Sequence, residues 1–352
     1  MLLPARSLLE SAAPVAVGLL GGLLFAGLAL PAPWISGSMV AVALVSARWP
    51  MRDLHPGLRD LAMLLGGATM GAAVTPETLR LFGTVPVSFV GLFASVGVTM
   101  LVCSLWLRLA LGWRGGDAVL ASAPGALSAV LALAAERGAD VTRIAVVQTL
   151  RLFVLVAVLP GLVAWVEPGA QGGAGAGGSV GVMDAPAFAF VLLLGLGLGA
   201  AFSRAGIAAP FLLGAAIGSA VPHGADFVRG APPEAVSTLG FVLIGVYIAG
   251  RMQGIDLATL RRHLVAGLGS LLLGLAVSSV FAGLVAWAVG VRFGSALLAF
   301  APGGLEALAV LSLALDLDPL YVAAHHLMRF FAIGLALPLL MPLLDRVRSP
   351  DG

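Results

Sequence analysis

The chain has 352 residues, of which 60% are hydrophobic and 10% charged, with 47 glycines and a net charge of +2. An ordinary soluble domain is about half apolar and about a quarter charged. So few charges cannot cover so large an apolar surface, which excludes a cytosolic enzyme and a disordered scaffold; Cys103, the single cysteine, excludes a disulfide-stapled secreted module.

All 19 basic residues are arginines, placed singly or in pairs, so no nucleic-acid footprint is expected. The expected solvent is lipid. Crossing a hydrocarbon core takes roughly 20 helical residues, because lipid offers backbone amides no partner. Apolar runs predict helical segments over 14–30, 33–47, 58–74, 84–111, 117–136 and 141–166, then 186–202, 208–221, 235–254, 264–290, 295–315 and 319–344. Between the sets, 167–185 contains GGAGAGGSVGVMD and reads as a glycine-rich linker. The first run resembles a secretory signal, but its counterpart in the second half is internal, so it is read as part of the fold.

The two sets repeat one another. AVLASAPGALSAVLAL from Ala118 matches ALLAFAPGGLEALAVL from Ala296 at an offset of 178, which also pairs Asp140 with Asp318, Arg151 with Arg329 and Pro160 with Pro338. PWISG from Pro33 matches PFLLG from Pro210 at an offset of 177. The expected domains are therefore repeat 1 over 1–166, the linker, and repeat 2 over 186–346.

Arginine placement orients the segments. With six crossings per half the halves are parallel, and ten arginines face seven. If the PG-containing segments enter and return on one side, each half has five crossings, the halves are inverted, and fourteen arginines face Arg80, Arg229 and Arg292. The expected fold is an all-α polytopic membrane protein of two inverted repeats, with about ten transmembrane helices, two broken or re-entrant segments and both termini cytoplasmic.

Arg151 and Arg329 each lie about ten residues into a helix, roughly 15 Å deep at 1.5 Å per residue. A guanidinium there costs at least about 3 kcal/mol and must find an acceptor, whether in a binding site, in a structural ion pair or on backbone carbonyls. Helical spacing sets Gln148 beside Arg151 and His326, with His325, beside Arg329. The adjacent histidines point about 100° apart, poor geometry for one metal, so hydrogen bonding or proton handling is expected and no cofactor or metal. Pro124-Gly125 and Pro302-Gly303-Gly304 interrupt apolar segments, either as simple kinks or close-packing glycines, or as paired discontinuous helices, which point to a transporter site. Glu306, where the first half has Ser128, would either neutralise Arg329 or bind a coupling proton or cation. Gly195, Gly197 and Gly199 suit close helix contact, and Trp34, Trp49 and Trp113 suit interfacial anchoring.

PGALSAVLALAAERGADVTRIAVVQTLR together with LLAFAPGGLEALAVLSLALDLDPLYVAAHHLMRFF resembles the AbrB-type membrane protein family over essentially the whole chain. Its members are commonly labelled ammonia monooxygenases or AbrB family transcriptional regulators, and often carry an acidic residue slightly further from the PGG than Glu306. The resemblance implies a polytopic bacterial inner-membrane protein linked to gene regulation; the soluble DNA-binding proteins also called AbrB have a different fold. Five histidines, two of them adjacent, do not supply an oxygenase metal site. The expected function is non-enzymatic: a carrier for a small anionic or zwitterionic solute, coupled to a proton or cation, with a membrane-embedded ligand sensor as the alternative. The lipid bilayer is the expected partner, and the sequence also leaves room for a homo-oligomer.

Overall fold

The computed structural model describes residues 10–74, 85–125, 127–167, 181–253 and 255–346. Residues 168–180 of the expected linker lie outside them. Among the described residues the chain is helical, with no β-strand and one isolated bridge, Val182 to Ala231. In chain order the helices are α1 (Ala12–Gly27), a π-helical turn (Pro33–Gly37), α2 (Ser38–Arg48), α3 (Pro56–Ala72) and α4 (Val85–Leu109). Next come α5 (Gly115–Ser122), α6 (Leu127–Glu136), α7 (Val141–Val166), α8 (Ala185–Arg204) and α9 (Pro210–Gly224). The last are α10 (Glu234–Gly250), α11 (Leu257–Val289), α12 (Phe293–Phe300), α13 (Leu305–Ala314) and α14 (Pro319–Arg346).

Every predicted segment is met by a helix or, at the two PG positions, by a pair. The largest boundary difference is at α11, which begins at Leu257 instead of 264. Asp256 explains the early start: its carboxylate accepts from the Thr259 amide at 2.8 Å and hydroxyl at 2.6 Å, capping the helix ahead of the apolar run. Among the described residues five helices are long and apolar enough to cross a membrane, over Pro86–Leu109, Val141–Val166, Ala185–Arg204, Ala258–Val289 and Pro319–Leu337. Ala12–Gly27, Glu234–Gly250 and Leu305–Ala314 are apolar but shorter.

The local backbone repeats at the offsets seen in the sequence. Left-handed conformations occur at Ala29 and Gly206, at Ala32 and Ala209, at Gly112 and Gly290, and at Gly138 and Asp316. Ala32 (φ 48, ψ 52) and Ala209 (φ 48, ψ 53) each precede the proline of PWISG or PFLLG. An alanine in this region costs roughly 1–2 kcal/mol, so its recurrence ties the sequence repeat to a repeated backbone path.

The chain divides into two compact units, and each draws on both halves of the sequence. The first comprises 1–83, 156–253 and 306–323. Its helices meet backbone to backbone at glycines: a Cβ on Gly67 or Gly71 would strike the carbonyl oxygens of Leu212 and Ala216, and one on Gly214 would strike the backbone of Gly199. Of the LGLGLG glycines, Gly195 and Gly199 make such contacts, whereas Gly197 faces open space. Ser38 donates to Gly18 O at 2.8 Å and Ser219 to Ala68 O at 2.8 Å, adding side-chain bonds to these close crossings.

The second unit comprises 84–155, 254–305 and 324–352. Leu107, Leu120, Val130, Ile144, Val147 and Ile333 form its core. Between α4 and α11 the Cys103 thiol donates to Ser270 O at 3.3 Å. Trp113 is buried in this unit, with the Arg143 guanidinium 3.6 Å above its ring, so it is not the interfacial anchor expected from the sequence.

Candidate functional site

Within the second unit, α5 and the first half of α7 run side by side in the same direction. Trp113 lies against Arg143, Leu120 O accepts from Gln148 at 2.8 Å, and Ala123 O accepts from Arg151 at 3.0 Å. The chain therefore reaches the level of Arg151 at the end of α5, yet must be back at Val141 with only four residues between it and Glu136. The ten residues of α6 span about 15 Å, which matches that return. The first PG segment is thus a hairpin with its turn at the break. The sequence dictates this locally: proline drives the preceding residue extended (Ala123 φ −63, ψ 121), and Gly125 takes φ +90, a conformation that L side chains rarely adopt.

The parallel run recurs at an offset of 178. The Nε2 of His326 lies 2.9 Å from Leu298 O, and Arg329 donates to Ala301 O at 2.7 Å, with Ala301 extended (φ −52, ψ 138) ahead of Pro302. Each arginine therefore sits at the carboxyl end of a short helix, where unpaired carbonyls and the negative end of the helix dipole collect. Arg329 is the more fully engaged. Besides Ala301 it donates to Gly303 O at 2.8 Å and to His326 Nδ1, with a longer contact to Phe300 O at 3.4 Å. Arg151 adds only Ser122 O at 3.5 Å. Since His326 offers Nε2–H to a carbonyl, its Nδ1 is the acceptor, and the ring is a neutral bridge between α12 and Arg329.

Both guanidinium groups are buried, at 2% and 1% exposure, and neither pairs with a carboxylate among the described residues. The Nε of each is buried without a hydrogen-bond partner. Gly125 and Arg329 bring the two breaks together. A Cβ on Gly125 would stand 3.2 Å from Arg329 Nε and 3.3 Å from Gly303 O, so only glycine leaves that approach open. Gly304 continues the turn into Leu305.

The other sequence candidates are not all drawn to this point. His325 turns away from Arg329 to bond the Ser88 hydroxyl, with its ring between Phe89 (4.9 Å) and Phe300 (5.8 Å). Glu306 is ion-paired with Arg251 at 3.7 Å, and Arg251 also donates to the Tyr247 hydroxyl at 2.8 Å. Carbonyls and His326, not Glu306, thus accept the hydrogen bonds of Arg329. The Ser128 side chain lies outside the described residues. Arg251 and Tyr247 border an open cleft of ≈ 620 Å³ in the first unit, together with Arg52, Asp53, His55 and Arg59, a polar site absent from the sequence reading. Its available signal was the clustering of Arg52, His55 and Arg59 around the start of an apolar helix.

A family model described as Transition state regulatory protein AbrB matches residues 34–345. A Bacillus subtilis (strain 168) protein described as Uncharacterized protein YhjN is 27% identical over 354 residues, spanning 92% of this chain and 90% of its own length.

Proposed function

Given that the chain belongs to the AbrB family, we propose that it is a non-enzymatic integral membrane protein that carries a small anionic or zwitterionic solute through a site at its paired helix breaks. The observation that carries this reading is the burial of Arg151 and Arg329 beside interrupted backbone without a carboxylate among the described residues. Carbonyl dipoles engage part of their donors, leaving each Nε unpartnered and net positive charge in a low-dielectric setting, which an anion would neutralise. The first amides of α6 and α13 follow the same breaks and would add the positive ends of two helix dipoles.

In this reading the bacterial inner membrane is crossed ten times, by α1, the π-turn with α2, α3, α4, α7, α8, α9, α10, α11 and α14. The PG hairpins enter and return. Five crossings per half invert the second repeat relative to the first and put both termini in the cytoplasm. A coupling proton or cation would neutralise part of the solute's charge during transit.

Proteoliposomes tested with a panel of labelled organic acids and amino acids should accumulate one of them, and Arg151→Ala and Arg329→Ala should abolish uptake. Uptake at the wild-type rate in both variants would overturn the site, and binding without flux would make the protein a ligand sensor. For the topology, single cysteines replacing Arg114 and Arg204 in a Cys103→Ser background should label from the cytoplasm, and one replacing Arg292 from outside.

A further inference from the structure

A second polar recess, of ≈ 350 Å³, opens in the unit that contains the breaks, at the start of α7. Trp113, buried to 5% exposure, forms its base. Arg143 stacks 3.6 Å over the Trp113 ring, and His263 meets the same ring edge-on at 6.3 Å. The Arg143 Nε is buried with no hydrogen-bond partner. Asp140 is occupied, because its carboxylate accepts from the Arg143 amide at 3.0 Å and so caps α7. The charges of Asp140 and buried Asp117 both act on Arg143. That leaves the exposed Arg262, which makes no ion pair among the described residues, as the uncompensated cation of the recess.

One wall is apolar and faces outward. Val265 lines the recess and is 59% exposed, beside Leu264 at 38%. Two guanidinium groups lining one recess, Arg143 stacked on the Trp113 ring and Arg262 free of ion pairs among the described residues, suit a phosphate, which arginine binds through paired N–H donors. A free phosphate would gain nothing from the exposed valine and leucine, whereas an amphiphile would use both surfaces. Trp113, Arg143 and Arg262 lie at or near helix ends, which the proposed topology sets on the arginine-rich face, where anionic headgroups gather.

We propose that this recess binds the phosphodiester headgroup of an anionic phospholipid, with Arg262 and Arg143 on the phosphate and Val265 against the first part of an acyl chain. The proposal rests on the membrane embedding of the preceding reading but not on transport.

The test uses the full chain in nanodiscs of phosphatidylcholine mixed equally with phosphatidylglycerol, with retained lipid counted by native mass spectrometry. Wild-type protein should retain phosphatidylglycerol over phosphatidylcholine by at least about fivefold. Arg262→Gln, a change at an exposed position, should cut that preference about fivefold, the scale of one basic residue near an anionic surface. Phosphatidylglycerol vesicles should also raise the thermal midpoint of wild type, and millimolar inorganic phosphate should not. Equal retention of the two lipids, an unchanged preference in Arg262→Gln, or full stabilisation by phosphate alone would each overturn the proposal. Since the readout needs no flux, equal retention of the two lipids by wild type with intact solute uptake refutes the recess alone, and an intact wild-type preference without uptake refutes the carrier alone.

Discussion

Replacing Arg329 by alanine should destabilise the protein about twice as much as the same change at Arg151. Arg329 makes two short bonds to carbonyls, at 2.7 and 2.8 Å, and a third to His326, whereas Arg151 makes one at 3.0 Å and a marginal one at 3.5 Å. A hydrogen bond from a charged donor contributes roughly 1.5–3 kcal/mol, and its removal leaves the buried acceptor unsatisfied. Part of that loss is offset because a buried cation is removed with it. The expected net cost is about 3–5 kcal/mol at Arg329 and about 1.5–3 kcal/mol at Arg151. At roughly 2–4 °C per kcal/mol for a chain of this order of size, the midpoints should fall by about 10 °C and about 5 °C. Thermal unfolding of detergent-solubilised protein, followed by intrinsic tryptophan fluorescence, measures both. Equal shifts, or a larger one for Arg151→Ala, would refute the inference that carbonyl capping sets the energetics of these arginines.

Gly125→Ala should lower the midpoint by several degrees, since it forces φ +90 on an L residue at roughly 1–3 kcal/mol and sets a methyl 3.2 Å from Arg329 Nε; an unchanged midpoint would rule out the observed turn. A double-mutant cycle on Arg251→Gln and Glu306→Gln should give a coupling below about 1 kcal/mol, because the pair is 3.7 Å apart and nearly a quarter exposed on both sides. Hydrogen bonds from the Thr259 hydroxyl and amide, helped by the α11 N-terminus, hold the Asp256 carboxyl below its ordinary value of 3.8. A depressed folded-state value means the cap stabilises fully above the unfolded value and is lost as pH falls through the folded one. Asp256→Ala should therefore lower the midpoint at neutral pH and match wild type once pH is well below 3.8, as a pH series of melts will reveal.

The helices and breaks were legible because each leaves a one-dimensional mark. A PG pair inside an apolar run can only interrupt it, and the offset of 178 appears both in the residues and in the left-handed turns at Gly112 and Gly290. The acceptors of the arginines were not legible, since they are backbone atoms 28 positions away, at Ala123 and Ala301, and carry no side-chain signature. Spacing rules placed both histidines beside Arg329. One further residue of helical rotation separates His326, which bridges to Arg329, from His325, which turns to Ser88. Trp113 looked like a surface anchor because it ends an apolar run, and only the fold reveals that Arg143 covers it. The Arg251–Glu306 pair joins sequence positions that share no period or motif, so nothing in the chain announced it.

The interleaving of the two compact units has a consequence for how the chain is made. Ser88 must wait for His325, 237 residues later, before its hydrogen bond can form, and the second unit lacks α11, α12 and most of α14 until nearly the whole chain has emerged. A ribosome halted after the first copy would release helices whose neighbours are still unwritten, with Arg151 already holding the carbonyls of a hairpin from its own half. Both units are therefore complete only after residue 305 has been passed, and a half-length product would lack segments of each instead of forming a smaller version of the protein.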